Sequence, residues 1–306
     1  MFFILRGIIL AALIGSSLTA SAQPFFNNEL KNRPEENRTC VWMPLGSFIL
    51  PGLGQWSEGQ IPSAAFYSGL GVTSVMVARG VGDEDNVEVS DYDRATDQQR
   101  LLSYSLQVYQ TVGSLSAYQS FRTAVNSRRD DGQFQFLEKE YEEDAGDLLL
   151  APLQMGELLK PTTYIPLGLL TVAALADWNN RQRSWLGKDV AFSLGTSYNA
   201  GVGEEALFRG YMMPLLMEQW DSPFWSNFTT ALVFGALHIS PGNPVPWPQF
   251  TLGYYLGWLS QRNHWTLKQS IFIHAWWDVI AFTIDLTDRG RKQDAKLFLP
   301  LVSTTF

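Results

Sequence analysis

The chain has 306 residues, of which 17% are charged, with a formal net charge of −8, 11 tryptophans and one cysteine. That charge content is below the roughly 25% of soluble domains, and the acidic balance excludes a nucleic-acid partner, which would call for a basic face. The lone cysteine, Cys40, excludes an intramolecular disulfide, a multi-cysteine zinc site and an iron–sulfur cluster, and reads as a small apolar residue. Half of the acids fall in two short segments, residues 83–97 and 130–147. These read as solvated loops that dilute an otherwise apolar chain.

Met1–Ala22 has a charged start at Arg6, a short apolar core and Ala20-Ser21-Ala22 before Gln23, the layout of a secretory signal peptide. Met43–Trp56 is apolar but interrupted by Pro44, Pro51, Gly52 and Gly54, and is too short for a span of about 20 residues. It is expected to form a re-entrant or interfacial turn. Ile61–Ala78 suits a membrane span, with small residues for close helix contact. Leu101–Val125 mixes Tyr104, Gln107, Gln110 and Gln119 into an apolar pattern, which predicts a helix inside a bundle or an amphipathic surface helix. Leu148–Leu159 reads as interfacial, and Thr162–Ala176 as a short span followed by Arg181, Arg183 and Lys188.

Four apolar runs follow, at Val190–Met217, Phe224–Ile239, Phe250–Leu259 and Ser270–Leu286. Asp221-Ser222-Pro223 and Pro241-Gly242-Asn243-Pro244 mark turns between them. Trp220, Trp225, Trp247, Trp258 and Trp265 lie near run ends, as an interfacial aromatic belt would. The basic 178–188 segment and the tail with Arg289, Arg291, Lys292 and Lys296 place both on the cytoplasmic side, with Gln23 outside. The whole predicts an all-α, polytopic transmembrane bundle of about six to eight spans. Its divisions are a signal peptide at 1–22, a membrane-associated region with acidic loops at 23–160, a membrane domain at 161–290 and a tail at 291–306.

Within the first of the four runs stand Glu204, Glu205 and Arg209. Ionisable residues at membrane depth are a functional-site hypothesis by default. Glu205 and Arg209 are four apart, so they share a helix face and can pair. Glu204 sits about 100° round the helix and is less easily neutralised by that arginine. Two of the three histidines lie in later runs: His238 closes the second, and His274 stands four residues before Asp278 on the fourth. His264, between runs beside Asn263 and Trp265, reads as interfacial.

One glutamate and two histidines at membrane depth can hydrolyse an amide in two ways. Glu204 can act as general base toward water, with one histidine orienting the water or protonating the leaving amine and another stabilising an oxyanion. Alternatively, His238, His274 and Glu204 can hold Zn²⁺ with a water in the fourth position. Spacing alone leaves both open. A proton-relay transporter would need a substrate path and internal repeats, and no repeat is visible.

Glu204-Glu205-x-x-x-Arg209, Phe234-x-x-x-His238 and His274-x-x-x-Asp278 resemble the three ordered motifs of the CPBP family. These are type II CAAX prenyl endopeptidases and bacteriocin-processing or immunity-associated, Abi-like membrane proteases. The resemblance covers about residues 160–290. It implies a helical membrane bundle with the motif residues facing a central intramembrane cavity. It also implies Glu204 as the water-activating base aided by His238, His274 and residue 278 near the oxyanion, and Glu205 and Arg209 in support. Zinc is one option under the resemblance and a metal-free glutamate mechanism is the other. Prenyl-protease members typically carry Asn where this chain has Asp278, a departure that favours a bacterial subgroup.

The expected function is therefore endopeptidase action on membrane-associated proteins or peptides, in a bacterial inner membrane, with the lipid bilayer and a peptide substrate as partners. The competing expectation is a catalytically silent scaffold or immunity-type protein.

Overall fold

The computed structural model describes residues 41–81, 96–176, 187–239 and 244–287. The expected signal peptide, Cys40, most of the first acidic loop, the basic segment before Gly187, the turn at 241–243 and the basic tail lie outside the described residues. All regular structure among the described residues is helical.

Two short helices, α1 (Met43–Ile49) and α2 (Leu53–Ser57), are joined through Gly52 at φ +94°. They occupy the interrupted stretch read as a re-entrant turn. A Cβ at Gly52 would come within 2.6 Å of the Ala64 carbonyl oxygen, so the left-handed turn and the tight contact both require glycine. α3 (Ile61–Gly80) follows, then the 32-residue α4 (Asp97–Arg128). α4 begins with a capping box in which Thr96 Oγ1 accepts from Gln99 N–H, and the Gln99 side chain accepts in return from Thr96 N–H.

The mixed polarity of α4 now has a cause. Its central stretch is buried on nearly all sides, and its small polar residues receive the α1–α2 turn. Gly52 N–H donates to Ser116 Oγ at 2.8 Å, and the buried Gln55 amide donates to the Ser116 carbonyl at 2.8 Å. Of the two expectations for this segment, the helix inside a bundle is the one observed.

Residues 145–159 form α5 (Ala145–Leu150) and short 3₁₀ turns, with Leu150, Leu153, Met155 and Leu159 exposed. The remaining helices are α6 (Pro161–Ala176), α7 (Gly187–Leu207), α8 (Met213–Trp220), α9 (Pro223–Leu237), α10 (Trp247–Arg262) and α11 (Lys268–Thr287). The α8–α9 turn has Asp221 in the left-handed region at φ +48°, Ser222 capping Trp225 N–H and Pro223 in the first turn.

α7 is the axis of the assembly. It packs along α4 on one side and along α11 on another, while α9 and α10 pair as a hairpin beside its continuation. A buried ion pair, Arg100 Nη1 to Asp189 Oδ1 at 2.5 Å, fixes the register of α4 against α7 at their N-terminal ends. α11 is pinned at its start by the buried Glu143, whose carboxylate accepts from Leu267 N–H at 2.5 Å and Lys268 N–H at 3.2 Å. An anion at a helix N-terminus meets both the open N–H groups and the dipole. Burial pushes the Glu143 carboxyl pKa up, and those two N–H bonds pull it partly back.

By length and composition, α3 is the one described helix able to cross a membrane, and Pro161–Leu175 is apolar but shorter. That measure accounts for one of the six to eight expected spans. α9 and α10, at 15 and 16 residues, fall short of the length usual for a span, and α4 and α7 turn polar residues inward. Apolar exposure tells more. Ile165, Leu169 and Val172 on α6 recur at helical spacing and are exposed, as are Phe66, Leu70 and Met76 on α3. Apolar helix faces of this kind suit a hydrocarbon neighbour rather than water.

Candidate active site

The site is assembled where α7 meets α11 and α9. Two glycines allow the approach. A Cβ at Gly201 would lie 2.8 Å from Ala275 Cβ and 2.8 Å from Ala275 N on α11. A Cβ at Gly203 would lie 2.9 Å from Thr111 Oγ1 and 3.0 Å from Thr111 Cα on α4. The residues just after these contacts are Glu204 and Glu205, so close backbone approach puts both carboxylates deep between helices.

Glu205 and Arg209 pair as their spacing predicts. Arg209 Nη1 donates to Glu205 Oε1 at 2.9 Å, and both side chains are fully buried. Arg209 Nη2 donates to the Gly253 carbonyl on α10 at 2.8 Å, and the guanidinium lies 4.6 Å from the Phe234 ring centroid on α9. One arginine thus ties α7, α9 and α10 together.

Between α7 and α8 the helix widens into a π-turn over Phe208–Met212, where Met213 N–H bonds back to the Phe208 carbonyl. Pro214 explains its position. A proline here cannot donate to the Gly210 carbonyl, and its ring would clash with that carbonyl in a regular α-helix. The wider turn relieves the clash and places Arg209 at the bend.

His274, 1% exposed, stands across from the pair. Its Nδ1 is 2.8 Å from Glu205 Oε1. The acceptor is a carboxylate, so Nδ1 carries the hydrogen. Nε2 then faces two further carboxylates, Glu204 Oε2 at 3.7 Å and Asp278 Oδ2 at 3.7 Å. Both distances exceed a hydrogen bond. Glu204 Oε2 and Asp278 Oδ2 are buried without a protein hydrogen-bond partner.

His238 caps the end of α9, and its Nδ1 lies 2.6 Å from the Phe234 carbonyl. A carbonyl only accepts, so Nδ1–H is the donor and Nε2 the basic nitrogen of the neutral ring. The Phe234 ring packs against both histidines, with centroids 4.5 Å from His238 and 5.9 Å from His274. Glu204, Glu205, Arg209, His274 and Asp278 are therefore linked by direct polar approach, and Phe234 joins His238 to them. His264 is exposed, stacked on Tyr141 and within 3.2 Å of Glu138 Oε1.

The zinc arrangement of His238, His274 and Glu204 asks for three donors converging on one point. Among the described residues no three His, Cys, Asp or Glu side chains are gathered to hold a metal.

Beside Glu204, on its α4 side, lies a small polar cavity lined by Gln107, Gln110, Thr111, Thr196, Asn199 and Ala200. Sequence reading placed Gln107 and Gln110 on a helix inside a bundle or at its surface and gave them no part in the site. Their spacing of three residues puts both on one face of α4, and that was the available signal.

Arg209→Ala is expected to prevent assembly of the folded protein, because it leaves Glu205 as a buried charge without its partner. Breaking such a pair costs about 3–5 kcal/mol. Arg209→Lys should fail nearly as fully, since an ammonium cannot span Glu205 and Gly253 in the same fork. Detergent-extracted yield and the monodispersity of the purified variants measure this.

Residues 186–280 match the family model described as Rce1-like, type II CAAX prenyl endopeptidase. Comparisons with curated proteins and with solved structures gave no match. The matched segment, just under a third of the chain, contains all three motifs and every direct partner of Glu205, and over it the chain is similar to the CPBP family of membrane-embedded proteases.

Proposed function

We propose that the protein is an intramembrane endopeptidase that cleaves membrane-associated proteins or peptides with a water activated by Glu204, without a metal. The family's general activity is that of a CAAX-type endopeptidase in membranes. The observation that carries the finer reading is Glu204 itself: a buried carboxylate with Oε2 unpartnered, facing His274 Nε2 and bordered by a polar cavity.

In this scheme Glu204 Oε2 takes a proton from water as the water oxygen bonds to the scissile carbonyl carbon, and the carbonyl π pair moves to oxygen. His274, held through Nδ1 by Glu205, presents Nε2 toward the reacting centre; in its imidazolium form Nε2–H would donate to the oxyanion. The intermediate then collapses, the C–N bond breaks, and the amine leaves with the proton from Glu204. His238, joined to the cluster through the Phe234 ring, is the second base proposed to relay that proton. Asp278, as a carboxylate, accepts only, so it acts on the His274 ring and not on the oxyanion. The proposed setting is a multi-pass helical bundle in a bacterial inner membrane; the exposed apolar faces of α3 and α6 support a hydrocarbon neighbour and do not bear on which membrane it is.

Mass spectrometry of peptide termini in envelopes from cells carrying the wild-type protein or Glu204→Ala tests the reading. Termini present with the wild type and absent with the variant are expected, and they would identify substrates directly. Identical termini, with both proteins present at equal level in the membrane, would leave the catalytically silent scaffold as the better account.

A further inference from the structure

The cavity beside Glu204 is built by two parts of the chain that sequence reading kept apart. Gln107, Gln110 and Thr111 come from α4, outside the matched residues 186–280, and Thr196, Asn199, Ala200 and Glu204 come from α7. Gln107 is 6% exposed, Gln110 8% and Thr196 0%. Thr111 Oγ1 is within 3.0 Å of the Asn199 carbonyl, and the Asn199 amide donates to the Gly195 carbonyl at 2.9 Å.

Five other polar atoms of the lining residues have no protein hydrogen-bond partner. Both amide atoms of Gln107, Oε1 of Gln110, Oγ1 of Thr196 and Oε2 of Glu204 are buried with no hydrogen-bond partner. Buried polar side chains are normally paired, so five unpartnered atoms on one small cavity point to a ligand they share. The cavity has room for about one water molecule. That excludes a peptide segment. A site that is polar, of this size and supplied with several partners is one where a water is expected to be ordered.

We propose that the α4–α7 cavity is the binding site of the hydrolytic water, with Gln107 and Gln110 as positioning residues that hold it against Glu204. The assignment rests on Glu204 as the base. A water there can donate to Glu204 Oε2 and to Gln110 Oε1 and accept from Gln107 Nε2. One lone pair remains to bond to the scissile carbonyl carbon, as the first hydrogen passes to Glu204. Hydrocarbon surroundings supply no water of their own, so a protease that works at membrane depth needs polar side chains that keep one in place. α4 thereby gains a catalytic purpose that its position outside the matched segment does not reveal.

Two measurements on the full-length protein in detergent or nanodiscs test this. The first is a structure at a resolution that shows buried waters, of the wild type and of Gln107→Met. Water density between the Gln107 amide and Glu204 is expected in the wild type and should be lost in the variant. A wild type without that density, where other buried waters are visible, overturns the proposal.

The second is the kinetics of Gln107→Met and Gln110→Met on a quenched peptide spanning a cleavage site found by terminus mapping. A fall in kcat of about 10- to 100-fold is expected, with KM held within about twofold as for a misplaced nucleophile. Gln107→His, which returns an N–H donor to the position, should recover part of kcat. A raised KM with kcat intact would make the glutamines a substrate contact, and unchanged kinetics would give them no part; either result overturns the proposal. Ordered water in a wild type that cleaves nothing would uphold the binding site and fell the peptidase reading. Activity lost in Glu204→Gln but untouched in both methionine variants would do the reverse.

Discussion

Glu204→Gln is expected to lower kcat by about 10²- to 10⁴-fold, the range for removal of a positioned general base, while the protein assembles normally. Glutamine matches the shape of glutamate and cannot take up the proton from water. It should be well tolerated in the fold, because Glu204 Oε2 makes no hydrogen bond to protein, and the neighbouring ion pair uses Glu205 instead. A neutral amide in a site 1% exposed also removes the desolvation cost of a buried charge.

Glu205→Gln should behave in the opposite way. It strips the charge that holds Arg209 at 2.9 Å and accepts from His274 at 2.8 Å, so folded yield should fall together with activity. Thermal denaturation and gel-filtration profiles, read beside cleavage rates, separate the two cases. A purified Glu204→Gln protein that cleaves at the wild-type rate would end the glutamate mechanism.

The difference between these neighbouring carboxylates was legible because it is local. A four-residue spacing puts Glu205 and Arg209 on one helix face and His274 and Asp278 on another, whatever the rest of the fold does. The boundaries of the later helices were legible for the same reason, from apolar runs ended by Asp221-Ser222-Pro223 and similar turns. Contacts between distant segments were not. Arg100 gives no sign in sequence that it meets Asp189, nor Glu143 that it caps α11. Both contacts depend on which helix faces meet, and periodicity does not specify that. The π-turn at Phe208–Met212 was missed because Pro214 reads equally well as a kink or a tolerated early-helix proline. α4 was harder still. Its serines, glycine and glutamines blur the amphipathic pattern, and they do so because separate faces receive the α1–α2 turn and the cavity beside Glu204.

What brings those faces together is backbone proximity at glycine, and Gly201→Val is expected to disable the protein more than its size suggests. At Gly201 even the first added carbon would stand 2.8 Å from Ala275 Cβ, 2.8 Å from its backbone nitrogen and 3.0 Å from its Cα. These are helix atoms and cannot swing aside as a flexible side chain would, so α7 and α11 must separate. Overpacking of this kind costs about 1–3 kcal/mol. The larger consequence is geometric. His274 neighbours Ala275 on α11, and Glu204 and Glu205 follow Gly201 on α7, so separation lengthens the 2.8 Å His274–Glu205 contact and turns Nε2 away from Glu204. A displacement of about 1 Å in a catalytic group is enough for a loss near 10²-fold.

Gly69→Ala on α3 is the control, since a Cβ there meets nothing within 4 Å. Alanine within a helix should leave cleavage unchanged and add about 0.5–1 kcal/mol of stability. Cleavage rate and thermal midpoint, measured for both variants in the same detergent, test the contrast. Wild-type values for Gly201→Val would show that the α7–α11 contact does not set the spacing between Glu204 and His274.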